Sequence, residues 1–244
     1  MSLFRSDLRS AARSLRRSPA FTLSAVLCLM LGIGVTAAIA SAVDRALLQP
    51  LPFKDPDRLV TVYRVAPHAN ANTWPLSAPN YKDLAAETHQ LQSMAAIASG
   101  SALITLRDEA VQVSRLRVTG NFFTLLGVRP LEGRLLAPAD DDAGQNRVVV
   151  LGEEFWQKYL GGDPHVVSQT IQIDGQAATV IGIVPRGFRV PHGASVIRAD
   201  VWEPMRFTTA ELASRGSNYL QAIGRLAPGA TVETARQELA RLYA

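Results

Sequence analysis

Between Arg17 and Asp44 the chain runs for 26 residues without a charged side chain. Its apolar centre, Ala20–Val43 (AFTLSAVLCLMLGIGVTAAIASAV), holds eleven Leu, Ile, Val, Phe or Met residues. As a helix this centre would extend roughly 36 Å at ~1.5 Å per residue, enough to cross a hydrocarbon layer about 30 Å thick with some tilt. Such residues favour insertion by ~0.3–0.6 kcal/mol each, and no charge opposes them. The sequence therefore predicts a transmembrane helix over 20–43.

The flanks set its direction. Arg5, Arg9, Arg13, Arg16 and Arg17 precede the span, whereas Asp44, Arg45, Lys54, Asp55, Asp57 and Arg58 nearly balance after it. These topology-determining arginines put the N-terminus in the cytoplasm and residues 44–244 outside. Residues 1–19 read as a basic amphipathic segment, with Phe4, Leu8, Ala11, Ala12 and Leu15 on one helical face. It either lies along the inner leaflet against anionic lipid or serves only as a topogenic charge cluster. Arginines, an apolar run and the small-x-small sites Ala38-Ile39-Ala40 and Ala40-Ser41-Ala42 also fit a cleaved signal peptide. The run exceeds the ~7–15 residues of a signal h-region, which favours the anchor. Bulky Leu27 before Cys28 argues against a lipoprotein anchor. Gly34 with Ala38, and Gly32 with Thr36, are candidate transmembrane packing pairs, because small residues let helices approach closely in lipid.

Charge and cysteine content narrow the function. The formal net charge of +4 belongs to residues 1–19, and the remaining 20 basic and 20 acidic residues cancel. Net charge thus lends no support to a nucleic-acid partner. One cysteine, Cys28, excludes an intrachain disulfide framework and any multi-cysteine metal site.

The body reads as α+β. Pro50, Pro52 and Pro56 make a stiff connector, and Leu59–Val65 reads as a strand. Asn80–Ser93 reads as a helix with Tyr81, Leu84 and Leu91 as core contacts. Ile97–Leu106 and Ala110–Val118 form a hairpin across Asp108-Glu109, and the second run alternates Val111, Val113, Leu116 and Val118 imperfectly. A short helix, Asn121–Leu126, takes Asn121 as N-cap and ends at Gly127. Residues 130–146 read as a loop, Val148–Leu151 as a buried strand, and Glu153–Leu160 as a helix stopped by Gly161-Gly162. Thr170–Ile173 and Ala177–Val184 pair across Asp174-Gly175, a dipeptide suited to a type I′ turn. Val201–Pro204 and Asn218–Leu226 are further strands, and Thr231–Tyr243 is an amphipathic helix with Val232, Ala235, Leu239 and Leu242 on one side.

Catalytic patterns are missing from the sequence. His68, His89, His165 and His192 are scattered in polar settings and read as surface residues. Asp140-Asp141-Asp142 lacks the ligand spacing of an EF-hand and reads as a solvated loop. Glu153-Glu154 suit the dipole at a helix start. There is no GxxxxGK[ST] and no G-x-S-x-G. The expectation is a non-enzymatic chain with no catalytic residues, cofactor or metal.

Six stretches in order carry a family resemblance. They are LRSAARSLRRSPAFTLSAVLCLMLGIGVTAAIASAVDRALLQPLPF (8–53), NYKDLAAETHQLQSMAA (80–96), VTGNFFTLLGVRPLEGRLL (118–136), RVVVLGEEFWQKYLGGD (147–163), IQIDGQAATVIGIVPRGFRVP (171–191) and SNYLQAIGRLAPGATVETARQELARL (217–242). Together they make the chain similar to the MacB-type periplasmic domain of FtsX-like ABC transporter permeases, in the stand-alone subfamily without a fused ATPase. The resemblance implies one transmembrane helix, then a porter-like α+β subdomain (54–125 and 215–244) and an inserted β-rich subdomain (130–210). It implies a mechanotransmitter: a separate cytoplasmic ABC ATPase drives a permease dimer, and the motion reaches the periplasm for export or efflux. Implied partners are membrane lipid, a second permease copy or permease partner, that ATPase, and a periplasmic adaptor or cargo. Relatives of this kind continue to three more membrane helices, so a chain stopping at Ala244 reads as an N-terminal fragment or a truncated product that cannot transport alone. A single-pass anchored binding or scaffold module is the alternative. A periplasmic enzyme on an anchor is a third reading, and no catalytic constellation in the sequence supports it.

Overall fold

The computed structural model describes residues 19–43, 53–65, 73–106, 109–192 and 195–243. It divides into two units, 1–52 and 53–244. In the first, α1 (Pro19–Val43) is one uninterrupted 25-residue helix with no charged residue. Leu23, Leu27, Met30, Leu31, Ile33 and Val35 are all exposed. Among the described residues no helix is long and apolar enough to cross a membrane. Within α1 the longest unbroken run with described side chains is Val26–Thr36. The membrane-spanning expectation therefore rests on the sequence of α1. The basic segment 1–18 lies outside the described residues, as does Asp108 of the expected Asp108-Glu109 turn, while Glu109 opens the second strand of that pair.

The second unit is built on a nine-stranded mixed sheet. Its strands are β1 (Leu59–Val62), β2 (Leu91–Leu106), β3 (Glu109–Val118), β4 (Glu132–Gly133), β5 (Val148–Gly152), β6 (Thr170–Ile173), β7 (Gln176–Val184), β10 (Val201–Pro204) and β11 (Gln221–Leu226). A separate short hairpin joins β8 (Val190–His192) to β9 (Ser195–Ile197). The sheet order is β1-β11-β2-β3-β10-β5-β7-β4, with β6 bridging β2 and β7. β10 runs parallel to β3, and β5 parallel to β7; the remaining pairs are antiparallel. The helices of this unit are α2 (Ala78–Glu87), α3 (Phe122–Leu126), α4 (Glu153–Leu160), α5 (Thr209–Ala213) and α6 (Val232–Tyr243).

Strand alternation distributes the core into three clusters. Met94, Ala96 and Ala98 of β2 pack with Tyr81 and Leu84 of α2, Leu220, Ala222 and Ala235. Farther along the same face of β2, Ala102 and Ile104 pack with Val149, Leu151, Phe155, Ile173 and Ile183. The opposite face of β2 sends Ala95 and Ile97 into a third cluster with Leu116, Phe122, Phe123, Trp202 and Ile223. There Phe123 lies 6.2 Å from Trp202, and Phe188 lies 5.8 Å from Phe123 and 6.0 Å from Phe53, centroid to centroid. One face of β2 thus carries two separate apolar clusters, with Gly100 between them.

Several elements depart from expectation for identifiable reasons. The helix expected over Asn80–Ser93 ends at Glu87, and Leu91 is a buried strand residue. A carboxylate from α6 takes over the next donors: Glu238 accepts from Thr88 Oγ1 (2.7 Å), the His89 N–H (3.1 Å) and the Gln90 N–H (2.9 Å). Those bonds hold the chain out of helical register as it turns into β2. Ser77 caps the start of α2 by accepting from Asn80 N–H. Asn121 stands at the N-terminus of α3 but does not cap it; its Nδ2 donates to the Met94 carbonyl (2.9 Å) and its Oδ1 accepts from Thr119 (2.8 Å). Val232 is 61% exposed, so the buried side of α6 is Ala235 with Leu239 and Leu242. The Asp174-Gly175 turn has φ of 51° and 72°, the left-handed pair that a type I′ turn requires.

The acidic triplet is not a solvated loop. Asp140 is buried and takes a two-pronged pair from Arg134 (2.7 and 2.9 Å) as well as the Ala137 N–H. Burial raises its carboxyl, but the Arg134 and Ala137 bonds outweigh this and hold it below the usual carboxylate range. Asp141 accepts from Gly120 N–H through Oδ2 (2.8 Å), while its Oδ1 is buried with no hydrogen-bond partner. Burial pushes this carboxyl up to about 6.

The segment that leads into the sheet is fastened from both sides. Lys54 N–H donates to the Leu126 carbonyl at the end of α3 (3.0 Å). Arg225, buried in β11, donates through Nε and Nη2 to the Leu125 carbonyl (3.1 and 2.7 Å), and to the carbonyls of Lys54 and Asp55. Arg58 reaches the Leu226 carbonyl and Gln92 Oε1.

Candidate functional site

Beside β2, over strands β3, β10 and β5, lies a solvent-open cleft of about 240 Å³. It is lined by Arg115, Arg117, Arg147, Val148, Glu203, Pro204 and Arg206. The sheet explains the convergence. Arg115 and Arg117 continue, at the same parity, the face of β3 that carries Val113 into the core. Glu203 of β10 sits opposite Arg117 in register, and Gly100 of β2 sits opposite Arg115. Arg147 immediately precedes β5, and Arg206 closely follows β10. Gly100 lies under the Arg115 guanidinium, whose Nη2 stands 3.9 Å from where a Cβ would be.

Glu203 is buried, and an isolated buried carboxylate costs several kcal/mol. Two guanidinium groups compensate it: Arg147 Nη2 donates to Oε1 (2.6 Å) and Arg115 Nη1 to Oε2 (3.3 Å). The same Arg115 nitrogen reaches Asp174 Oδ2 in the β6–β7 turn (2.7 Å). Arg147 also donates to Gln176 Oε1 (2.8 Å). On the other side, Arg117 Nη2 meets Glu211 Oε1 of α5 (2.9 Å), which also accepts from the Tyr219 hydroxyl (2.7 Å). Burial alone would raise the Glu211 carboxyl, but bonds from the Thr208 N–H, Arg117, Tyr219 and the Thr208 hydroxyl hold it at about 2. Burial and the Glu211 carboxylate push Tyr219 up to about 12. Arg206 donates to the carbonyls of Asp140 (2.9 Å), Gln145 (3.0 Å) and Asn146 (2.8 Å). Neighbouring arginines on β3 are thus tied to opposite walls, Arg115 to the β6–β7 side and Arg117 to the α5 side.

The residues singled out from sequence lie elsewhere. Gly32, Gly34 and Thr36 are exposed on α1, where the Thr36 hydroxyl donates to the Gly32 carbonyl (2.6 Å). Ala38 is helical, with its side chain outside the described residues, as are Arg5, Arg9, Arg13, Arg16 and Arg17 entirely. His89 and His165 are exposed, while His68 and the side chain of His192 are outside the described residues. Glu153 and Glu154 at the start of α4 pair with Arg186 (3.7 Å) and Arg198 (3.4 Å). Among the described residues no group of three His, Cys, Asp or Glu is placed to hold a metal ion. Sequence reasoning missed the cleft. The one local signal was in β3, where an inward-facing valine parity turns to arginine.

The body is a mixed-sheet α+β domain with a charged cleft, and such a fold does not by itself fix a function. The comparisons go further: the chain belongs to the family of the MacB-like periplasmic core domain, whose model matches residues 22–242. This family is a periplasmic domain of ABC transporter permeases and is not itself catalytic. Among solved structures, a permease-protein domain from Porphyromonas gingivalis matches at 21% identity with a TM-score of 0.61, covering 78% of this chain and 84% of that one. The periplasmic region of MacB from Actinobacillus actinomycetemcomitans matches at 17% identity and TM-score 0.58, covering 76% and 82%. The extracellular domain of the noncanonic ABC-type transporter YknZ from Gram-positive bacteria matches at 15% identity and TM-score 0.55, covering 75% and 91%. At these identities the likeness shows the fold. No curated protein matches.

Proposed function

We propose that the chain is the N-terminal membrane anchor and periplasmic domain of an ABC transporter permease, transmitting ATP-driven motion to the periplasm for export or efflux. One observation carries the reading. The family match starts at residue 22, inside α1, and runs to residue 242, so the apolar helix and the body form one family unit. A cleaved leader would be expected to fall outside such a unit. In this reading α1 spans the bacterial inner membrane, the five N-terminal arginines stay in the cytoplasm, and 44–244 face the periplasm. Gly32, Gly34, Thr36 and Ala38 give close approach to other membrane helices. ATP hydrolysis belongs to a separate cytoplasmic ATPase, and a second permease copy, membrane lipid and a periplasmic adaptor or cargo complete the assembly. The body divides into a porter-like part (54–125 and 215–244) and an inserted part (130–210).

Cysteine labelling of the full chain in a bacterial membrane tests the anchor. In a Cys28→Ser background, Ser214→Cys should react with an impermeant reagent from outside, and Ser6→Cys only after lysis. The intact 26.3 kDa chain should stay with the membrane. A shorter soluble product lacking about the first 42 residues would overturn the reading.

A further inference from the structure

We propose that the arginine-lined cleft is a binding site for a phosphate-type oxyanion. Four guanidinium groups, those of Arg115, Arg117, Arg147 and Arg206, line it against the single carboxylate of Glu203. This local excess does not follow from a basic body, because basic and acidic residues outside 1–19 are equal in number. Two further carboxylates, Asp174 and Glu211, each pair with one arginine nitrogen at the walls and leave the guanidinium groups in the majority. A guanidinium offers five donors in a planar fork matched to oxyanions. Arg115 makes its ion pairs through Nη1 and Arg117 through Nη2, so each keeps donors for a ligand.

Glu203 already demonstrates the recognition. Its two oxygens are each held by a different arginine, 2.6 and 3.3 Å away, as the oxygens of a bound anion would be. Arg117 adds a third guanidinium, so an anion with more than two acceptor oxygens uses the cleft better than a carboxylate, while Arg206, whose three nitrogens each serve a backbone carbonyl, adds mainly charge. A volume of about 240 Å³ also leaves room beyond the phosphate for an ester substituent. Soluble phosphate and a phospholipid headgroup share this chemistry. The inference stands apart from the transport reading, because an isolated chain with no ATPase partner would bind equally.

The test is calorimetric titration of the full chain, held in neutral-lipid nanodiscs, with inorganic phosphate at ionic strength fixed with chloride. Saturable binding is expected. Glu203→Gln removes the internal competing charge while keeping the shape, and should tighten binding by about tenfold. Arg147→Gln should weaken it by about tenfold. Circular dichroism confirms that each variant is folded, and the predicted gain in Glu203→Gln cannot arise from misfolding. The wild-type titration is then repeated in nanodiscs containing phosphatidylglycerol. Loss of the phosphate signal there assigns the cleft to lipid headgroups; its retention assigns it to a soluble phosphate. No saturable heat above the chloride control, or binding that neither substitution changes, overturns the proposal.

Discussion

Replacing Arg225 by methionine should release the segment that leads into the sheet. Methionine roughly fills the space of the arginine stem but has no donors. Arg225 is 5% exposed, and its guanidinium serves the carbonyls of Leu125, Lys54 and Asp55. Burial pulls its own pKa down, yet a guanidinium stays charged, so the buried charge relies on these carbonyls in place of water. Hydrogen bonds to a charged group are worth about 1.5–3 kcal/mol, and a carbonyl left buried without one loses a comparable amount. The bonds to Leu125 are buried. Lys54 and Asp55 are exposed, and their carbonyls recover water, so they add about 1 kcal/mol at most. The sum is about 3 kcal/mol, which for a domain of this size lowers Tm by roughly 6–12 °C. Unfolding of the full chain in detergent micelles can be followed by tryptophan fluorescence, because Trp156 and Trp202 are buried in the body. Limited trypsin digestion supplies a local readout: cleavage after Arg58 should accelerate before global unfolding. Arg225→Lys keeps the charge without the fork and should fall between the two. If Arg225→Met unfolds within 1 kcal/mol of wild type and trypsin cleaves Arg58 no faster, the clasp does not hold the segment.

Two further perturbations test the surroundings of the cleft. Because burial raises the Asp141 carboxyl from 3.8 to about 6, the folded state disfavours its charge. The penalty is fully present above pH 6 and relieved as pH falls through 6 toward 4. Asp141→Asn should therefore stabilise the protein at pH 7 by about 1 kcal/mol after allowing for solvent, and the gain should vanish near pH 4, as read by urea unfolding at each pH. An equal gain at both pH values would refute the assignment. Gly120→Ala should prevent folding or cost more than 3 kcal/mol, because its Cβ would stand 2.1 Å from the Ala137 carbonyl oxygen, a backbone atom that cannot swing away. Wild-type thermal stability in that variant would contradict the packing described.

Legibility followed the range of the interactions. The Asp174-Gly175 turn, α4 with its Gly161 stop, and Val201–Pro204 were readable because each is set by residues adjacent in sequence. The end of α2 was not, since the carboxylate that stops it, Glu238, lies about 150 positions away. Asp140 looked solvated although its partner Arg134 stands only six positions away, because no sequence pattern marks the turn that brings the two together. The cleft was the hardest case. Its charged residues span positions 115 to 206, and only the parallel register of β3 with β10 sets Glu203 beside Arg117. Each arginine by itself reads as an ordinary solvated residue on or beside a strand. The imperfect alternation of β3 was the visible trace of the inward-facing pair Arg115 and Arg117.

The mechanical consequence of the shared sheet bears on how a transmitting domain could work. β11, which carries the Arg225 clasp, pairs with residues 91–97 of β2, with Arg225 opposite Ser93. At its far end, the same strand pairs Thr105 with Gln172 of β6. The distance along β2 between those points is about 40 Å at ~3.3 Å per residue. A displacement entering at residues 53–58 therefore has a continuous hydrogen-bonded path to the far cluster, with no loop in between to absorb it. Gly100 breaks the side-chain cover of that path but not its backbone ladder, which continues through Gly100 opposite Arg115. Bending of the sheet would concentrate where the cover is thinnest, at the cleft. There Arg115, tied to the β6–β7 turn, and Arg117, tied to α5, would be drawn apart or together. If the chain transmits motion and binds an anion as proposed, an anion seated between them would oppose opening, and cleft occupancy would be coupled to the stiffness of that path through the same two side chains.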